Sequence, residues 1–92
     1  IVMEYSKKVK VVNKLGFHLR AVAVFVKESE KYKSLIKVRN GEVEADGKSI
    51  MGLMTLIAAQ GMEIEIKAEG QDAKEAVGRL VKIVENKFGE KE

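Results

Sequence analysis

Hydrophobic and polar residues follow two different rhythms along this chain, and the change from one to the other outlines its elements. Lys8-Val9-Lys10-Val11-Val12 alternates at period two and predicts a short strand. Residues 19–31 switch to helical spacing, with Leu19, Val22, Ala23 and Val26 on one stripe and Lys27, Glu28, Glu30 and Lys31 in the later, solvated turns. The run Ala21–Val26 is apolar on every side; its length favours a helix over a buried strand. Leu35–Arg39 and Glu42–Asp46 alternate again about Asn40-Gly41, a dipeptide that predicts a tight hairpin of type I′, with positive φ at both central residues.

Ser49 is placed to cap a short apolar helix from Ile50 to about Ala59, closed near Gly61, with Ile50, Leu53, Leu56 and Ile57 as its buried stripe. That assignment leaves Met51 and Met54 near its outer face. Met62–Glu69 alternates without a break and predicts a strand with one wet face, ended by Gly70. A last helix is expected from about Asp72 to Phe88, with Ala73, Ala76, Val77, Leu80, Val84 and Phe88 as its stripe and Asp72 and Glu75 at capping-box spacing. The order is β-α-β-β-α-β-α. Half-wet strands must lay their dry face on something, so the fold class is α+β: an open-faced β-sandwich, a four-stranded antiparallel sheet covered by three helices.

Composition narrows the function more than the fold. Ninety-two residues, 46% hydrophobic and 34% charged, describe an ordinary globular chain, expected as one domain over residues 1–92. There is no cysteine, which removes disulfides, thiolate metal sites and thiol catalysis. No run approaches about 18 apolar residues and the N-terminus lacks a signal-peptide pattern, so membrane insertion is not expected and a cytoplasmic location is the default. Ile1 and Val2 stand ahead of Met3, which points to Met3 as the natural start. The net charge of +3 is uneven: residues 1–46 carry ten Lys/Arg against six acids, residues 47–92 seven against eight. A basic first half favours an anionic substrate or acidic partner. Nucleic acid is not expected as that partner, because no aromatic stacking platform lies on the strands.

One residue has real chemical reach. His18 is the only histidine, in Gly16-Phe17-His18-Leu19-Arg20, immediately before the first helix. Imidazole offers a neutral nitrogen nucleophile near physiological pH, and a helix start presents unpaired N–H groups and a positive dipole end to phosphate oxygens. Gly16 allows a tight turn, and Arg20 falls where its guanidinium can fork onto a phosphate. A metal site is not expected, with no second histidine and no cysteine. Ser49 is the second candidate: capping explains it structurally, and a phosphate at a helix start is electrostatically compatible.

Two motifs carry a resemblance. Asn13-Lys14-Leu15-Gly16-Phe17-His18-Leu19-Arg20-Ala21 resembles the phosphohistidine motif of the HPr family, the phosphocarriers of the bacterial sugar phosphotransferase system. Gly47-Lys48-Ser49-Ile50-Met51-Gly52-Leu53-Met54 resembles that family's regulatory-serine motif. Both stand in the family's order and at about its spacing, and the element order matches its open-faced sandwich.

The resemblance implies that His18 accepts a phosphoryl group on Nδ1 from phosphorylated enzyme I and passes it to a histidine of an enzyme IIA domain, with Arg20 steadying the phosphoryl oxygens. Ser49 would match the serine modified by an ATP-dependent HPr kinase/phosphorylase. Leu19, Ala23, Ile50, Met51 and Met54 would belong to a docking surface for these partners and for a transcriptional regulator. No cofactor is expected on the chain itself, phosphoenolpyruvate and Mg²⁺ acting through enzyme I. The family usually has alanine or threonine where Leu19 stands, and often proline where Ala21 stands; the bulk of Leu19 is expected to bear on which partners dock. A regulatory binding module, governed by Ser49 with little transport role, is the alternative.

Overall fold

A strand whose dry positions recur every second residue must find a covered face, and the computed structural model, which describes residues 3–92, shows how four such strands share one. The elements are β1 (Glu4–Lys10), α1 (Leu19–Ser29), β2 (Leu35–Asn40), β3 (Val43–Asp46), α2 (Ile50–Met54), β4 (Glu63–Glu69) and α3 (Ala73–Glu85), followed by a 3₁₀ turn at Lys87–Gly89. The reading of Ile1 and Val2 lies outside the described residues. The sheet order is β1-β4-β2-β3, with every neighbouring pair antiparallel. Val9, Ile36, Val38, Ile64, Ile66 and Ala68 point from the sheet into one core, where they meet Val22 and Phe25 of α1, Leu53 of α2 and Val77, Leu80 and Val84 of α3. The predicted α+β open-faced sandwich is the architecture observed.

Element ends and one turn differ from expectation, each for a local reason. Strand β1 runs over Glu4–Lys10 rather than Lys8–Val12; its start is hidden because Tyr5 and Lys7 hold the core-side positions opposite Ala68 and Ile66 yet stay exposed. Lys7 there is an inward-pointing charge on an edge strand, a device that discourages further pairing. The hairpin loop is Gly41-Glu42, and only Gly41 has positive φ (+62°), the pattern of type II′ rather than I′. Helix α2 stops at Met54 rather than Ala59: the N–H groups of Thr55 and Leu56 donate three residues back, to Gly52 and Leu53, and Ile57 turns left-handed at φ 47°. Leu53 and Leu56 are buried as expected, whereas Ile50 and Ile57 lie on the surface.

Helix α3 keeps its whole stripe buried but ends at Glu85, and Phe88 returns to the core through a left-handed turn at Lys87 and Phe88 (φ 60° and 56°). Asp72 does not close a capping box. Its carboxylate instead accepts from the backbone N–H groups of Lys33 (2.9 Å) and Ser34 (3.0 Å) and from the Ser34 hydroxyl, pinning the end of the α1–β2 loop to the start of α3.

That clasp makes stability depend on acid. The Ser34 hydroxyl first, then the backbone donors, hold the Asp72 carboxyl below the usual carboxylate range. A folded-state value below the unfolded one means its stabilisation is complete above the unfolded value of about 3.9 and is lost as pH falls through the lower, folded one. Urea titrations should show Asp72→Ala less stable than wild type by about 1–3 kcal/mol at pH 7, since Ser34 is buried and loses its partner. The gap should narrow towards pH 2; a constant gap would exclude the carboxylate as its cause.

Candidate functional site

Gly16 sets the path of the loop ahead of α1. Its φ is +62°, and a Cβ there would run into the backbone of Ala58 and Ala59. Phe17 locks the next step: its N–H donates to the Ala58 carbonyl (2.8 Å) and its ring is buried against Phe25 and Phe88. His18 then falls at the N-cap of α1 in extended conformation, its carbonyl accepting from Val22 N–H at 2.9 Å. Gly16→Ala combines a left-handed alanine with a backbone clash and is expected to cost about 1–3 kcal/mol by denaturant titration; a neutral result would mean the Ala58-Ala59 backbone yields without cost.

The imidazole is partly shielded, with 28% of its side chain exposed. Nε2 faces the Glu90 carboxylate, whose other oxygen accepts from Asn13 Nδ2 at 3.0 Å. Asn13 is fully buried and also donates to the Gly16 carbonyl (2.8 Å), so one amide braces both the loop and the carboxylate. Nδ1 has no hydrogen-bond partner among the described residues, and no side-chain bond caps the first-turn N–H groups of α1. His18 and Arg20 open on a cleft of about 420 Å³ shared with Lys14, Leu15 and the tail Glu90–Glu92. Arg20 is exposed and makes no ion pair among the described residues, which leaves its guanidinium available to an anion. A nucleophilic nitrogen, open helix amides and an unengaged guanidinium therefore stand together.

Ser49 is the N-cap of α2 and half-buried, its Oγ accepting from Gly52 N–H at 2.9 Å. Gly47, just before it, packs so closely on Ile36 that a side chain would not fit. Of the expected docking residues, Leu19 (61% exposed) and Met51 (82%) stand out furthest, and Ala23, Ile50 and Met54 are exposed as well. Leu19 and Ala23 therefore do not belong to the buried stripe of α1, which runs through Ala21, Val22, Phe25, Val26 and Ser29. Helices α1 and α2 pack on one another, so the two motifs occupy neighbouring elements. A larger hollow of about 910 Å³ lies between Ser34 and the start of α3, but its hydroxyl is buried and bound by Asp72, leaving no free nucleophile. Among the described residues no helix is long and apolar enough to cross a membrane, and no three His, Asp or Glu side chains cluster as a metal site would.

Asn13 and Glu90 are the site residues that sequence reasoning missed. Asn13 lay within the first motif without an assigned role. Glu90 lies 72 residues from its histidine partner, in a polar tail with no periodicity to flag it.

Comparison with known proteins bears on the whole arrangement. The family described as "PTS HPr component phosphorylation site" matches residues 5–86. A phosphocarrier protein HPr of Neisseria meningitidis is 40% identical over 87 residues, spanning 95% of this chain and 98% of that protein. The crystal structure of an HPr from Thermoanaerobacter tengcongensis superposes with a TM-score of 0.91 at 39% identity, covering 96% of this chain and 99% of the other. That of a phosphocarrier protein HPr from Bacillus anthracis gives 0.82 at 35%, covering 86% and 94%.

Proposed function

The chain belongs to the HPr family of phosphotransferase-system phosphocarriers, and from that premise we propose that His18 is its phosphoryl-accepting residue. It takes the group on Nδ1 from phosphorylated enzyme I and yields it to a histidine of an enzyme IIA domain. One observation supports this reading above the rest: the imidazole offers an unengaged Nδ1 at an uncapped helix start, beside an unpaired guanidinium.

The chemistry follows from that placement. The Nδ1 lone pair attacks phosphorus as the donor's P–N bond breaks and its electron pair returns to the donor nitrogen. Negative charge on the three equatorial oxygens meets the first-turn N–H groups and Arg20. Nothing in the cleft encloses the product, so the same nitrogen can present its phosphoryl group to the next protein. Ser49 serves as a second, regulatory site for an ATP-dependent HPr kinase/phosphorylase, and the exposed Leu19, Ala23, Ile50, Met51 and Met54 form the surface on which partners, a transcriptional regulator among them, dock.

Incubation with enzyme I, phosphoenolpyruvate and Mg²⁺ should add one acid-labile, base-stable phosphate per chain, located on His18 by mass spectrometry of fragments kept at alkaline pH. Absence of that phosphate, or its appearance on another residue, would overturn the assignment.

A further inference from the structure

Glu90, which faces Nε2 of His18, lies beyond residues 5–86 that the family match spans, and its contact has no part in the transfer step described above. We propose that Glu90 is a positioning residue: its carboxylate holds the Nε2–H of His18, fixing the ring so that Nδ1 carries the lone pair and faces the cleft. The role rests on the reading of His18 as the phosphoryl acceptor.

Each link is built into the fold. Phe88 is buried with its ring edge-on to Phe17, at 5.4 Å between centroids, which fixes the tail two residues before Glu90 to the residue just before His18. Glu90 N–H donates to the Lys87 carbonyl (2.9 Å), and the Lys14 N–H donates to the Glu92 carbonyl, so backbone bonds hold the tail on both sides of the carboxylate. Asn13 occupies one carboxylate oxygen, which leaves the other for the imidazole. The pair is only partly open to water, with 28% of the histidine and 21% of the glutamate side chain exposed. A carboxylate accepts hydrogen bonds and donates none, so the nitrogen facing it must be the one that bears hydrogen. The other nitrogen is then the nucleophile, and the same logic orients imidazoles that act through a partner acid.

The electron count closes without another reactant. The Nδ1–P bond forms as the donor's P–N bond breaks, while the Nε2 proton stays on the ring, shared with Glu90. The phosphorylated ring bears positive charge opposite a carboxylate. In onward transfer the Nδ1–P electron pair returns to Nδ1, and the starting tautomer is restored without a proton having to move.

Nuclear magnetic resonance of the ¹⁵N-labelled protein reads this directly, because a ring N–H held by a carboxylate is protected from solvent exchange. Wild type should show a downfield Nε2–H proton, with Nδ1 unprotonated; Glu90→Ala should lose the proton signal. In phosphoryl uptake from phosphorylated enzyme I, Glu90→Ala should lower kcat roughly tenfold with KM little changed, since orientation is lost and docking is not. Glu90→Gln, whose amide oxygen can still accept from Nε2–H, should recover the signal and part of the rate. An Nδ1–H tautomer in wild type, a ring proton that survives in Glu90→Ala, or an unchanged kcat in that variant would each overturn the role while leaving His18 as acceptor. A wild type that takes no phosphate on His18 would instead overturn the reading beneath it.

Discussion

His18→Ala should carry no acid-labile phosphate after exposure to enzyme I, phosphoenolpyruvate and Mg²⁺, under conditions that load wild type to about one per chain. The loss should be complete because nothing else in the cleft can substitute. Lys14, Arg20 and Lys91 are cations without a free nitrogen lone pair, and a phosphate on Glu90 or Glu92 would be an acyl phosphate, told apart by its lability in base. The variant should stay folded, which makes the result interpretable. His18 caps α1 through its backbone and makes no side-chain cap bond, so the usual cost of about 1 kcal/mol for losing an N-cap side chain does not apply. Glu90 keeps its bond to Asn13, so no buried charge is orphaned. Labelled phosphate should fall to background while the thermal midpoint moves by a few degrees at most. Label equal to wild type would mean that the acceptor is another residue.

Phe17→Ala should be the most damaging single change to stability near the site, at about 3–5 kcal/mol. Its ring is 5% exposed and touches two others, tilted 52° to Phe25 at 5.8 Å and edge-on to Phe88 at 5.4 Å. A chain of this size is stable by roughly 5–14 kcal/mol in total, so the loss is a large fraction of it. At about 4–8 °C per kcal/mol, the midpoint should drop by more than ten degrees. Phe25→Ala separates core damage from site damage: it also empties a buried aromatic position, but Phe25 stacks on Phe17 and not on Phe88. At a temperature where both variants are folded, Phe17→Ala should transfer phosphate more slowly than Phe25→Ala, because of these two rings only that of Phe17, next to His18, packs on Phe88 of the Phe88–Glu90 tail. Equal rates would show that the tail does not depend on that contact.

Much of this molecule was legible before its structure. Strand β4 and helix α3 announce themselves because both pack a one-sided stripe on the core, and burial of Ile64, Ile66, Ala68, Val77 and Leu80 imposes the period. Legibility failed where tertiary contacts outweighed local pattern. Tyr5 and Lys7 sit on the core side of β1 but stay exposed, so no alternation betrays them. Asp72 has the spacing of a capping residue, yet three donors of Lys33 and Ser34, nearly forty residues away, claim its carboxylate. The end of α2 depended on bonds to carbonyls three residues back, and no side-chain pattern encodes those. The site divides in the same way. His18 and Arg20 are close in sequence and fall in one cleft, whereas the partners of the imidazole come from the preceding loop and the far end of the chain.

The proposed relay through one nitrogen, Nδ1 of His18, also sets a traffic rule. Donor and recipient must address the same atom, so they cannot visit together, and each must leave before the other arrives. Throughput can then be no faster than departure allows. To sustain about 100 exchanges per second with arrival at about 10⁷ M⁻¹s⁻¹, complexes must be no tighter than about 10 μM. A molecule with one such doorway serves its network by holding no visitor for long.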